Sequence, residues 1–367
     1  MHRDTEILRA GYPDHDSSGP FLNGPQFSAT YVAPGEPSQH RYTYGRTGNP
    51  TWSAWENALG AIDGGESVAF ASGMAAAAAV FGTVLRPGDV LVLPSDSYYT
   101  TRLVASGWLD SIGIKTRFAP TRDSAQMHEL DGARLLWIET PSNPLLEVSD
   151  IELLVRAAHT HGVLVACDNT TATGYLQHPL RLGADFVMAS DTKGLTGHSD
   201  LLLGHVSTKD PARAEALRTW RTQHGAIPGP MEVWLAHRAL ATLAVRNTRQ
   251  CETALKLANT LSGDKSVNAV HYPGLASHPG HDIARRQMDN FGSVVSFDLG
   301  ARARAETFLR ALHLVREATS FGGVHSTAER RARWGGDAIS EGFIRFSCGL
   351  ESADDLVADV KAALAKS

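Results

Sequence analysis

The stretch Ser190-Asp191-Thr192-Lys193-Gly194-Leu195-Thr196-Gly197-His198-Ser199-Asp200 decides how the chain is read. It follows Ala184–Ser190 (ADFVMAS), an apolar run rich in strand formers that reads as a buried strand. Gly194, Gly197 and the polar residues around them cannot continue such a strand, so the chain turns here. A lysine at the end of a core strand loses part of its solvent. Desolvation lowers its pKa, and a neutral amine is the nucleophile that a Schiff base needs. Ser190 and Thr192 stand two apart, so both hydroxyls can face one way and hold a phosphate. Lys193 taken alone also fits a solvated turn residue. The surrounding chain separates the two readings.

Outward from this stretch, strands and helices alternate. Ser67–Ser72 (SVAFAS) reads as a strand, and Gly73–Leu85 (GMAAAAAVFGTVL) as an alanine-rich helix. A strand that ends in Ser-Gly at a helix start is an anion site, because free N–H groups and the helix dipole point at it. Asp89–Pro94, Ile114–Pro120, Arg134–Thr140 and Gly162–Asn169 read as further strands. Tyr98 lies just past one strand end, where open α/β sheets bind ligands. Asp168 ends another and is either a turn or cap residue or a carboxylate aimed at a cationic ring nitrogen. The spacing Ser149/Glu152 predicts a capping box for the next helix. Alternation of this kind means a mostly parallel sheet with right-handed crossovers.

Upstream, residues 1–45 are rich in Gly, Pro, Ser and His and read as an arm, followed by a helix over Trp52–Ile62. Downstream, Met231–Leu261 reads as one long helical stretch. Val267 onward reads as a smaller α+β unit with strands at Ser293–Leu299 and Phe343–Gly349 and an amphipathic terminal helix. The expected organisation is an arm over 1–45, a large domain over 46–240 and a smaller one over 241–367.

The composition is bland: 367 residues, net charge −5, and no apolar run near the ~20 residues of a membrane span. Nucleic acid and membranes are not expected partners, and a cytoplasmic location is expected. Cys167, Cys251 and Cys348 form no CxxC, so neither a disulfide framework nor a cysteine metal site is expected. The cluster around His278, His281 and Asp282 reads as a structural loop, and no metal is expected. A nicotinamide-dependent oxidoreductase would share the alternation, but no GxGxxG follows the first strand and Lys193 would have no role.

A lysine able to form a Schiff base, a strand-end Asp, a Ser-Gly helix start, paired hydroxyls and a tyrosine at the sheet edge together suit pyridoxal phosphate. The chain resembles the Cys/Met-metabolism PLP-dependent enzymes, the cystathionine γ-lyase and γ-synthase group. The resemblance runs over nearly the whole chain through YGRTGNPT, AFASGMAA, IETPSNPLL, DNTTAT, SDTKGLTGHSD, HYPGLASHP, TSFGGVHS and IRFSCGLE. It implies the aspartate-aminotransferase-like fold type I. It makes Lys193 the cofactor lysine and, with Tyr98, the acid–base group. Asp168 would meet the pyridine nitrogen, Tyr98 would stack on the ring, and Asn143 would contact the ring hydroxyl. Gly73, Met74, Ser190 and Thr192 would hold the phosphate, joined by Tyr44 and Arg46 from a neighbouring subunit. Arg345 would clamp the substrate carboxylate, with Ser320 beside it.

The resemblance also implies at least a homodimer, usually a tetramer, acting on a small sulfur amino acid. The expected reaction is γ-elimination of the cystathionine γ-lyase type. γ-Replacement and methionine γ-lyase activity are the alternatives. Departures from the family pattern cluster around the substrate: Tyr99-Thr100 replaces a Tyr-Gly-Gly continuation, Thr171 a Phe, Gly194 a Tyr, and Thr319 a Glu.

Overall fold

The computed structural model describes residues 2–12 and 18–367. Among them, twelve strands form two sheets. The first holds β1 (Glu66–Phe70), β2 (Val90–Pro94), β3 (Lys115–Ala119), β4 (Leu135–Glu139), β5 (Leu164–Asp168), β6 (Phe186–Ala189) and β7 (Gly204–Thr208), in the order β1-β7-β6-β5-β4-β2-β3. Pairings from β3 through β6 are parallel, whereas β7 runs antiparallel to both β6 and β1. The sheet is α/β and mostly parallel, with one reversed strand.

Both faces of the central strands β2, β4 and β5 are dry. Leu91, Leu93 and Trp137 pack on one side with Phe81, while Val92, Leu136 and Ile138 pack on the other with Leu154. That is why these strands are continuous apolar runs rather than alternating ones. Helix Gly73–Val84 covers the first face and helix Ile151–Thr160 the second. Ser149 does not cap the latter. Asp150 is the N-cap and accepts the Leu153 N–H at 3.0 Å. The Ser149 backbone is engaged elsewhere, with Thr140 Oγ1 and Gln287.

The second sheet runs β10-β11-β12-β9-β8, from β8 (Ala269–His271), β9 (Val294–Asp298), β10 (Arg316–Glu317), β11 (Thr327–Arg330) and β12 (Phe343–Ser347). Helices Leu243–Ser262, Arg302–Ala311 and Ala353–Leu364 cover it, and Phe297 meets Phe308 edge to face at 5.5 Å. The predicted single helix over Met231–Leu261 is two, Pro230–Leu240 and Leu243–Ser262, broken at Ala241-Thr242. The segment read as an arm carries a helix of its own, Arg3–Arg9, whose Ile7 packs into a core with Trp52 and Trp55.

Candidate active site

β4 and β5 lie in register and end together at Glu139 and Asp168. The turn after β6 delivers Lys193. β12 delivers Arg345, and the segment before β11 delivers Ser320. These ends meet around a cavity of about 450 Å³ lined by Lys193, Asp168, Tyr98, Asn143, Ser320 and Arg345, with Gly73, Met74, Ser190 and Thr192 at its other side.

Lys193 Nζ donates to Ser320 Oγ at 3.0 Å and lies 5.6 Å from the Phe321 ring centre. Burial lowers its pKa and the Arg345 charge adds to the effect. Glu329 and Asp168 oppose them, and the amine settles at about 8. About a tenth is then neutral at pH 7, against well under a thousandth for an ordinary lysine. Asp168 is 6% exposed and accepts the Thr170 N–H at 3.0 Å. Burial pushes its pKa up, while Thr170 and Lys193 pull it down.

Glu139 organises the opposite wall. Its carboxylate accepts the Tyr98 N–H at 2.7 Å and the Asn143 N–H at 2.9 Å. Burial and the neighbouring Asp168 charge raise its pKa well above the ordinary range. Arg345 donates to Asn143 Oδ1 at 2.7 Å, to the Ser320 carbonyl at 3.1 Å and to the Glu329 carboxylate. Burial lowers the Arg345 guanidinium to about 10, with the Glu329 charge opposing. Ser320 is thus held from both sides, and its φ of 78° is in the left-handed region that few non-glycine residues occupy.

Glu139, Glu329 and Arg331 are site residues that sequence reasoning missed. Glu139 had a signal, since β4 ends in an acid as β5 does. Glu329 and Arg331 sit in TAERRARW, which looks like a solvated charge run. There Arg331 bridges Glu329 at 3.1 Å and Asp337 at 3.0 Å, both buried. Tyr44 and Arg46 do not line this chain's own cavity. Arg46 donates to the Thr222 carbonyl at 3.0 Å, with its guanidinium 5.5 Å from the Tyr44 ring centre. In the His278 cluster, Nδ1 of His278 accepts the Gly280 N–H, and His281 Nδ1 bonds the Pro273 carbonyl.

The donor set fits pyridoxal phosphate. Ser72 caps the Ala75 N–H at 3.1 Å, which leaves the Gly73 and Met74 N–H groups in the first turn, where no helical carbonyl reaches them. A Cβ on Gly73 would stand 2.6 Å from that of Ser190, so the two halves of the cradle meet only because Gly73 has none. Thr192 Oγ1 is fixed on the opposite wall by the Leu203 N–H at 3.0 Å.

The model of the Cys/Met metabolism PLP-dependent enzyme family matches residues 4–365. A provisionally named cystathionine gamma-lyase of Streptomyces coelicolor is 54% identical over 98% of this chain and 93% of its own. Cystathionine gamma synthase from Xanthomonas oryzae pv. oryzae, solved in complex with cystathionine, is 34% identical with a TM-score of 0.95 over 100% of this chain and 98% of its own. An apo methionine gamma lyase from Micromonospora echinospora is 37% identical with a TM-score of 0.92 over 99% of both chains. With Lys193, Asp168 and the Gly73–Ser190 cradle gathered in one cavity, the chain belongs to the Cys/Met metabolism PLP-dependent enzymes.

Proposed function

We propose that this enzyme is a carbon–sulfur lyase that removes the γ-substituent of a sulfur amino acid, as a cystathionine γ-lyase does. The observation that carries the reading is the amine of Lys193, near pH 8 and hydrogen-bonded to Ser320, which in turn is held by Arg345. It puts a proton-transfer base next to a carboxylate clamp. The 54% identical relative supports the choice of γ-elimination.

Pyridoxal phosphate supplies, when bound, an electron sink conjugated with the substrate α-carbon. Gly73 and Met74 N–H groups and the Ser190 and Thr192 hydroxyls would hold its phosphate. Asp168 would pair with its ring nitrogen, and Tyr98 would supply a face for the ring. Asn143 would contact the ring hydroxyl, and Arg345 would hold the substrate α-carboxylate through a planar fork suited to two oxygens. The neutral Lys193 amine would take the Cα proton and, once it has handed that proton on, a Cβ proton. Tyr98 serves as its partner acid, returning a proton toward the departing thiolate. For cystathionine the balance is substrate plus water giving cysteine, 2-oxobutanoate and ammonia.

A second reading, γ-replacement by a sulfur nucleophile, is supported by the 34% identity to a γ-synthase over the whole chain. Tyr44 and Arg46 lie on an exposed segment away from this chain's cavity, which supports their reaching the phosphate of a second subunit in a dimer or a pair of dimers.

The test is the visible spectrum of the purified protein, followed by 2-oxobutanoate release from L-cystathionine and L-methionine with and without added thiol. The expected result is a visible cofactor band that Lys193→Ala lacks and keto-acid release without thiol. Keto acid from neither substrate, with a thiol-dependent product instead, would replace elimination by replacement. Absence of the band after addition of pyridoxal phosphate would overturn the reading.

A further inference from the structure

Behind the phosphate turn lies a charged cluster that the reaction does not use. Asp191 sits between Ser190 and Thr192 but is not part of the cavity lining. It meets His205 Nδ1 at 2.5 Å, and His205 Nε2 meets Asp63 Oδ2 at 2.9 Å. Ser207 Oγ donates to the same Asp63 oxygen at 2.6 Å. Asp63, Asp191 and His205 are 4%, 0% and 2% exposed. A neutral imidazole has one N–H and cannot donate to two carboxylates, so the imidazolium is the form that satisfies both. Burial pulls its pKa down, but Asp191 and Asp63 together hold it up to about 10.

This cluster ties three elements. Asp63 ends helix Pro50–Asp63, His205 lies in β7 opposite Ala69 of β1 and Ala189 of β6, and Asp191 lies in the turn after β6. The two residues before His205 contact both halves of the cradle. Leu203 holds Thr192, and a Cβ on Gly204 would come within 2.6 Å of the Ser72 carbonyl and the Gly73 nitrogen. Buried ions are costly, and an apolar replacement of similar size is often as stable. Conformational specificity is what such a cluster can add.

We infer that His205, clamped between Asp191 and Asp63, is a positioning residue that fixes the Ser190–Thr192 turn and so sets the cofactor-phosphate cradle. The inference rests on the pyridoxal phosphate site described above. Without the imidazolium, two buried carboxylates face each other uncompensated and the Asp191 turn shifts.

The test compares pyridoxal phosphate with pyridoxal, which lacks the phosphate, by titrating each into the apoenzyme and following the visible band. In His205→Gln, pyridoxal phosphate affinity should fall about ten- to a hundredfold, the equivalent of one charge-assisted hydrogen bond. Pyridoxal affinity should stay within about twofold, since the ring pocket keeps its partners. Asp63→Asn, at the far end of the cluster, keeps an acceptor for His205 and should give the same pattern more weakly. It carries the test if His205→Gln does not fold. Equal loss for both ligands would mean a purely structural role, and no loss for either would mean no role. Both overturn the inference. Wild-type apoenzyme that bound neither ligand would instead overturn the cofactor site.

Discussion

Arg345 already carries a carboxylate before any substrate arrives. Glu329 shares it with Arg331 and with the Trp334 indole N–H at 2.8 Å, and these partners keep the Glu329 carboxyl ionised against its burial. An incoming α-carboxylate therefore joins an existing network instead of capturing a free cation. Arg345→Lys replaces the fork by a point charge that cannot serve Asn143, Ser320 and Glu329 together. KM should rise about tenfold or more with a smaller fall in kcat, read from steady-state keto-acid release. Glu139→Gln offers one acceptor oxygen where two N–H groups now find two. It should cost about 1–3 kcal/mol in urea denaturation and weaken substrate turnover through Tyr98. The depressed Lys193 pKa has a definite sign. The native apoenzyme binds fewer protons there than the unfolded chain between pH 8 and about 10.4, so stability relative to Lys193→Met should rise with pH across that window. Denaturation of both apoproteins at several pH values reads it, and a flat difference would rule out a desolvated amine. Lys193 and Asp168 were legible because one follows an apolar strand and the other ends one, where a charge stands out. Glu329 was not, because its partner Arg345 is brought to it only by the pairing of β11 with β12.

Strands show the same divide. β2, β4 and β5 are legible because both their faces are apolar, as Leu91, Val92 and Leu93 illustrate. β7 reads Gly-His-Val-Ser-Thr and β11 reads Thr-Ala-Glu-Arg, and neither has a strand's hydrophobic pattern. Their polar side chains are nonetheless buried, satisfied by one another: Ser207 with Ser67 at 2.6 Å, Glu329 with its arginines. The helix cap differs for a simpler reason, that Asp150 stands one residue nearer the first free N–H groups than Ser149. Asp150→Ala should cost about 1 kcal/mol and Ser149→Ala less, in paired denaturation curves. At the junction of β7 with helix Gly73–Val84, Gly204→Ala would push a methyl into backbone at 2.6 Å. Separation of the two elements should abolish the visible cofactor band at pyridoxal phosphate concentrations that saturate the wild type.

At the scale of the molecule, the cavity draws residues from both sheets, and the segment before Tyr44 is largely exposed. Phe21 and Val32 on that segment are 91% and 95% exposed in the single chain, which suits burial against a second copy. Mixing Arg46→Ala with Lys193→Ala after joint unfolding and refolding tests whether sites are shared. Shared sites should restore about a quarter of the wild-type activity, because half of the random dimers hold one intact site of two. No recovery would confine each site to one chain. The position of β7 has a further consequence. β1 finds its sheet partner only when Thr208 pairs with Glu66, after every intervening strand has been made. During synthesis, β2 through β6 can assemble while the Ser72–Gly73 half of the cradle waits on an unpaired strand. The phosphate cradle therefore closes only after Thr208 has emerged, as the last step in assembling the first sheet and before the second sheet has been made.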